Sequence, residues 1–132
     1  MLSKKFIEDA ARGLGYVLSG INIGLFHVDF ILIHRDEITF RSKSRFFFRL
    51  NEGELTYFDA DHQNMKISSN CEFIGLLGRR VSEISTMDQS VTVYFAEGGF
   101  IRFIMDQSNV ESLELIGFNV EGERSLQFYH TA

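Results

Sequence analysis

There is no proline and no tryptophan in these 132 residues, and cysteine occurs once, at Cys71. With one thiol the chain can close no internal disulfide and build no thiolate metal cluster by itself, which fits a reducing compartment. Long hydrophobic runs are missing too. The longest apolar-leaning stretch, 14–33, is broken by Asn22, His27 and Asp29, too often for a bilayer span. Lys4 and Lys5 precede Phe6 and Ile7, but Glu8 and Asp9 follow at once, so no apolar signal region forms and a cytoplasmic location without membrane attachment is expected. Gly13-Leu14-Gly15 lacks the third glycine of a phosphate loop and follows a helical pattern, whereas dinucleotide loops follow a strand. Nor is there a Gly-x-Ser-x-Gly elbow for a nucleophilic serine. No catalytic set and no cofactor are therefore expected, and the reading is of a protein that binds.

What the chain does have is phenylalanine. Fourteen Phe and four Tyr stand in a composition that is 45% hydrophobic and 23% charged, an ordinary globular balance with a core of large, flat, strand-favouring side chains. One domain over 1–132 is expected, long enough to bury such a core unaided. The net charge of −5 is unevenly spread: residues 1–49 carry eight basic and five acidic residues, net +3, and residues 50–132 five basic and thirteen acidic, net −8. Phosphate recognition needs a clustered positive field, so nucleic acid is not the expected partner and a basic protein is.

Residues 3–12 place Phe6, Ile7, Ala10 and Ala11 at helical spacing, predicting a short amphipathic helix capped by Ser3 and stopped at Gly13 or Gly15. Short alternating runs then predict strands at 16–23, 25–34, 36–42, 45–50, 54–58, 64–68, 80–86, 90–96, 99–105, 111–118 and 125–130. Ala96-Glu97-Gly98-Gly99 and Asn51-Glu52-Gly53-Glu54 read as hairpin turns, and the stretch from Cys71 to Leu77 as a strand or a short helix. The fold class is mainly β (α+β): a short N-terminal helix, then an antiparallel meander closing as a sandwich or barrel.

The halves echo each other. Leu14-Gly15 with Leu18 and Ile21 matches Leu77-Gly78 with Val81 and Ile84, and residues 37–50 align without a gap on 92–105. Two duplicated strand units, 14–50 and 77–105, would produce this pattern, as would the general likeness of short alternating strands.

The residues able to carry chemistry are scattered. His27, His34, His62 and His130 have no zinc-motif spacing, and no metal site is expected. Asp59-Ala60-Asp61-His62 is read as a polar turn, since Glu72 does not complete a calcium loop. Cys71 sits beside Glu72, whose carboxylate would disfavour a thiolate. In Arg41-Ser42-Lys43-Ser44-Arg45-Phe46-Phe47-Phe48-Arg49, alternation sends Phe46 and Phe48 to one face and Phe47 to the other. The basic residues are read as guards of an edge strand.

The acidic second half supplies the expected partner-binding set: Glu97, Asp106, Glu111, Glu114, Glu121 and Glu123 around an aromatic anchor, Tyr94, Tyr129 or Phe100. Alternation along Val110–Phe118 turns Glu111 and Glu114 outward. The N-terminal helix, the Gly78, Val81, Ile84 strand start, the Glu97-Gly98-Gly99 turn and the run from Leu77-Gly78-Arg79-Arg80-Val81 to Phe103 resemble small bacterial immunity proteins of the contact-dependent growth inhibition type. That resemblance implies a cytoplasmic inhibitor that blocks a cognate toxin domain, commonly a basic nuclease. The alternative expectation is a β-barrel or sandwich with an aromatic-lined cavity for an apolar small molecule. Phe-bearing edge strands would also allow a homodimer by strand pairing.

Overall fold

The helical spacing of Phe6 and Ala10 is realised in α1, Lys4–Ala11, where both are wholly buried, while Ile7 and Ala11 of the expected apolar face are exposed. The computed structural model describes residues 4–60, 71–87, 89–105, 113–118 and 127–130; the expected Ser3 cap and the strand at 64–68 lie outside them. Among the described residues ten strands follow the helix: β1 (Val17–Ile23), β2 (Val28–Ile33), β3 (Glu37–Ser42), β4 (Arg45–Arg49), β5 (Thr56–Asp59), β6 (Val81–Met87), β7 (Ser90–Phe95), β8 (Phe100–Ile104), β9 (Leu113–Phe118) and β10 (Gln127–His130). Between β5 and β6 the segment left open as strand or helix is a 3-10 helix, Cys71–Leu76. The mainly β, α+β class is what the alternating runs predict.

All pairings are antiparallel and form two sheets, one ordered β1-β2-β3-β9-β10 and the other β5-β4-β8-β7-β6. The chain changes sheet between β3 and β4 at a corner held by polar bonds. Ser42 Oγ donates to Ser44 O at 2.9 Å and Ser44 Oγ to Ile104 O at 3.0 Å. Sheet order corrects one expectation: β4 is flanked by β5 and β8, so Arg45 and Arg49 do not guard an edge. The Phe-rich β4 is internal, whereas the edge strands β5 and β10 each carry one phenylalanine, Phe58 and Phe128.

Alternation sends Phe30, Phe40, Phe46, Phe48, Phe58 and Phe103 between the sheets, where each is at most 7% exposed. Phe73 of the 3-10 helix, with no exposed surface, plugs the same space. Ring centroids of Phe30, Phe46, Phe48, Phe58, Phe73 and Phe103 lie 5.2–6.3 Å apart, mostly edge-to-face, and Phe40 stacks on Phe103 at 5.4 Å. These are the separations at which aromatic quadrupoles attract.

The two halves correspond bond for bond where β1 meets β6. Gly15 N donates to Val81 O at 2.9 Å and Gly78 N to Leu18 O at 2.8 Å; Leu18 N donates to Arg79 O at 2.9 Å and Val81 N to Tyr16 O at 2.8 Å. Exchanging each residue for the one 63 positions on turns each bond into its mate, and the Val17–Arg80 bridge into itself. Gly15 and Gly78 share a left-handed φ, 80° and 86°, which glycine adopts without the penalty a Cβ brings. The register shift between Leu18 and Gly20 recurs between Val81 and Glu83. β3 and β8 are the central strands of their sheets, so position pairs β3 with β8, whereas aligning 37–50 on 92–105 would set it against β7.

Candidate functional site

The outer face of the β5-β4-β8-β7-β6 sheet is built by the residues that alternate with the buried phenylalanines. Its strand registers set Arg49 opposite Phe100, Phe100 opposite Tyr94 and Tyr94 opposite Glu83 in one row. The next row runs Tyr57, Phe47, Arg102, Thr92, Ser85. Arg45, opposite Asp59, starts a third. Rings and guanidinium groups therefore interleave. Arg45 lies 4.4 Å from the Tyr57 centroid, and Arg49 and Arg102 lie 5.5 and 5.0 Å from that of Phe100, distances at which a cation is attracted by the ring face. Tyr94 packs on Phe100 at 5.7 Å and Phe47 on Tyr57 at 6.1 Å. Tyr57 is 49% exposed.

At the Phe100 end this face opens into a cleft of about 640 Å³ lined by residues that include Arg49, Glu52, Glu83, Tyr94, Glu97 and Phe100. Its floor is fixed by a tight turn: Phe95 N donates to Gly99 O at 3.1 Å and Gly98 N to Phe95 O at 3.0 Å, with φ of 102° at Gly98 and 83° at Gly99. Arg79 clamps that turn to the β4–β5 turn, donating to Gly98 O at 2.8 Å, to Asn51 Oδ1 at 3.3 Å and to Leu50 O. Glu97 caps the approach to β6, its Oε1 accepting from Arg80 N at 2.8 Å. The matching turn of the first half, His34-Arg35-Asp36, carries both signs of charge. There Arg12, His34 and Arg35 line a cleft of about 460 Å³ with Leu14, Tyr16 and Asp36. The Tyr16 hydroxyl and Arg12 Nη2, the latter at 2.9 Å, donate to Asp36.

Of the expected partner-binding residues, Tyr94 and Glu97 meet at the 640 Å³ cleft. Asp106, Glu111, Glu121 and Glu123 lie outside the described residues, as does the side chain of Tyr129. Glu114 is a correction: it is 5% exposed, and Lys43 Nζ lies 2.5 Å from its Oε1. β9 runs between β3 and β10 and sets Glu114 opposite Arg41, so the residue does leave the phenylalanine core, but to lie beside Arg41 and Lys43. Arg41 in turn donates to both carboxylate oxygens of Asp29, at 2.8 and 3.0 Å, and that bond holds its pKa above the ordinary arginine range. The charge of Glu114 is thus used inside the fold.

Sequence reasoning missed Arg49 and Arg102 as site residues and placed Arg45 on an edge. Their signal was the Arg-x-Phe-x-Arg and Phe-x-Arg alternation of 45–49 and 100–102, which puts like residues on one face. Asp59 pairs with Arg45 at 3.4 Å. Burial pushes the Cys71 thiol up, away from the thiolate a nucleophile needs. Among the described residues no three His, Cys, Asp or Glu side chains gather where they could hold a metal ion, and no helix is long and apolar enough to cross a membrane. The chain matches no family model, no curated protein and no solved structure.

Proposed function

We propose that this protein works by binding another protein through the outer face of the β5-β4-β8-β7-β6 sheet, and that it does so as a cytoplasmic immunity protein, holding a basic toxin domain inactive. The observation that carries the reading is the cleft where the Tyr94–Phe100 ring pair lies within a rim of Glu52, Glu83 and Glu97. Aromatic side chains in a partly desolvated recess are the usual anchors of an interface, and carboxylates around them steer a positively charged partner and fix its register. The immunity role itself rests on the sequence resemblance. Against the small-molecule reading stands the interior, where rings fill the space between β2, β4, β8 and the 3-10 helix at centroid separations of 5.2–6.3 Å.

The test is co-purification of the tagged chain with the products of adjacent genes, followed by calorimetric titration of the captured domain. Tyr94→Ala should weaken binding about 30-fold, the loss of roughly 2 kcal/mol expected of an aromatic anchor. Glu83→Lys should slow association and flatten its salt dependence. Capture of a toxin domain whose affinity ignores both substitutions would remove this face from the interface, and growth protection by the chain without any complex would remove the inhibitor role.

A further inference from the structure

Glu83 accounts for only one end of the row that crosses the sheet. At the other end two guanidinium groups converge on a single ring, Arg49 at 5.5 Å and Arg102 at 5.0 Å from the Phe100 centroid. Neither forms an ion pair with a carboxylate among the described residues. Arg102 spends its Nε on Thr92 Oγ1 at 3.1 Å, and Arg49 Nε is buried with no hydrogen-bond partner at all. Two like charges gathered on one ring with donors to spare repel each other until an anion joins them, and a planar guanidinium is shaped to take an oxyanion by two parallel bonds.

We infer that Arg49 and Arg102 form a receptor for a carboxylate side chain of the partner protein, so that the binding face is bipolar. The inference rests on the partner-binding role proposed above and names the chemistry of that partner. Across the row, Arg49, Phe100, Tyr94 and Glu83 sit on four successive strands; at about 4.8 Å per strand the two charged ends are roughly 14 Å apart. The partner that fits presents an acid and a base about that far apart with an apolar group between them for the ring pair. A phosphate chain is the other polymer that arginines and rings attract. Glu52, Glu83 and Glu97 line the same cleft as Arg49 and offer a seat to a cationic group, which a phosphate chain lacks, so a protein of mixed charge is favoured.

Three probes on the intact, nitrogen-15-labelled chain test this by NMR: a decaglutamate peptide, a decalysine peptide and a ten-residue oligothymidine. Decaglutamate should shift the signals of Arg49, Phe100 and Arg102, and decalysine those of Glu83, Tyr94 and Glu97. Arg49→Gln and Arg102→Gln, each made singly so that one unstable variant leaves the other to decide, should weaken decaglutamate at least fivefold without weakening decalysine. Decaglutamate binding that bypasses these residues or survives both substitutions would overturn the receptor, and so would oligothymidine binding there at least as tightly. Failure of decalysine alone would overturn the acidic rim of the preceding proposal, the receptor being judged by decaglutamate.

Discussion

Replacing Gly99 by alanine isolates how the cleft floor is held. A Cβ built there would lie 2.5 Å from Arg49 O, 2.6 Å from Leu50 O and 2.8 Å from Leu76 Cδ2, at a φ of 83°. Two costs add. A left-handed alanine costs about 1–2 kcal/mol, and forcing a methyl against two backbone oxygens costs about 1–3 kcal/mol more as the end of β4 is pushed away. Gly15 separates them, because its φ is 80° but nothing lies within 4 Å of its Cβ position. Gly15→Ala should therefore cost only the first term, about 1–2 kcal/mol, and Gly78→Ala, equally open at φ 86°, about the same. Urea unfolding followed by far-ultraviolet circular dichroism measures all three, with unchanged m-values as the sign that the denatured state is unaltered. A Gly99→Ala loss no larger than that of Gly15→Ala would refute the claim that close approach of β4 to the β7–β8 turn sets the cleft.

Two further outcomes follow from buried polar groups. The Tyr16 hydroxyl is pushed up to about 12 from 10, by burial first and then by its hydrogen bond to Asp36. The folded state keeps this proton between pH 10 and 12 while the unfolded chain releases it, so the stability tied to Tyr16 is whole below pH 10 and lost as pH rises through 12. By pH 11 the loss is about 1.4 kcal/mol, and the stability gap between the natural chain and Tyr16→Phe should narrow by that amount in urea titrations from pH 9 to 11; a constant gap would contradict the shift. Glu114→Lys sets a third cation beside Arg41 and Lys43 and should cost about 3–5 kcal/mol of unfolding free energy, read by the same denaturation; a loss below about 1 kcal/mol would mean that Glu114 is not held in a buried pair.

The local pattern carried much of this fold. Strict alternation marked β7 and β8 and the turn Ala96–Gly99 between them, and it sorted Phe46 and Phe48 inward from Phe47, because side-chain direction in a strand depends only on counting residues. Partnership between strands depends on distant residues, and there counting fails. Nothing beside Arg49 shows that Phe100 will lie opposite it, nor does the neighbourhood of Glu114 reveal Arg41 across the strand. The same blindness made Arg45 look like an edge guard and Glu114 like part of a solvated face. Tyr94 and Glu97 were legible because the hairpin that brings them to one cleft is local.

The strand order has one more consequence. Each half supplies three strands to its own sheet and two to the other, and the contacts at the middle of the sheets, β3 with β9 and β4 with β8, all join opposite halves. Melting either half strips the other of its central neighbour, so neither can persist as a folded fragment while its fellow is open, and the chain should come apart in a single step. A partner gripping one sheet thereby stiffens both.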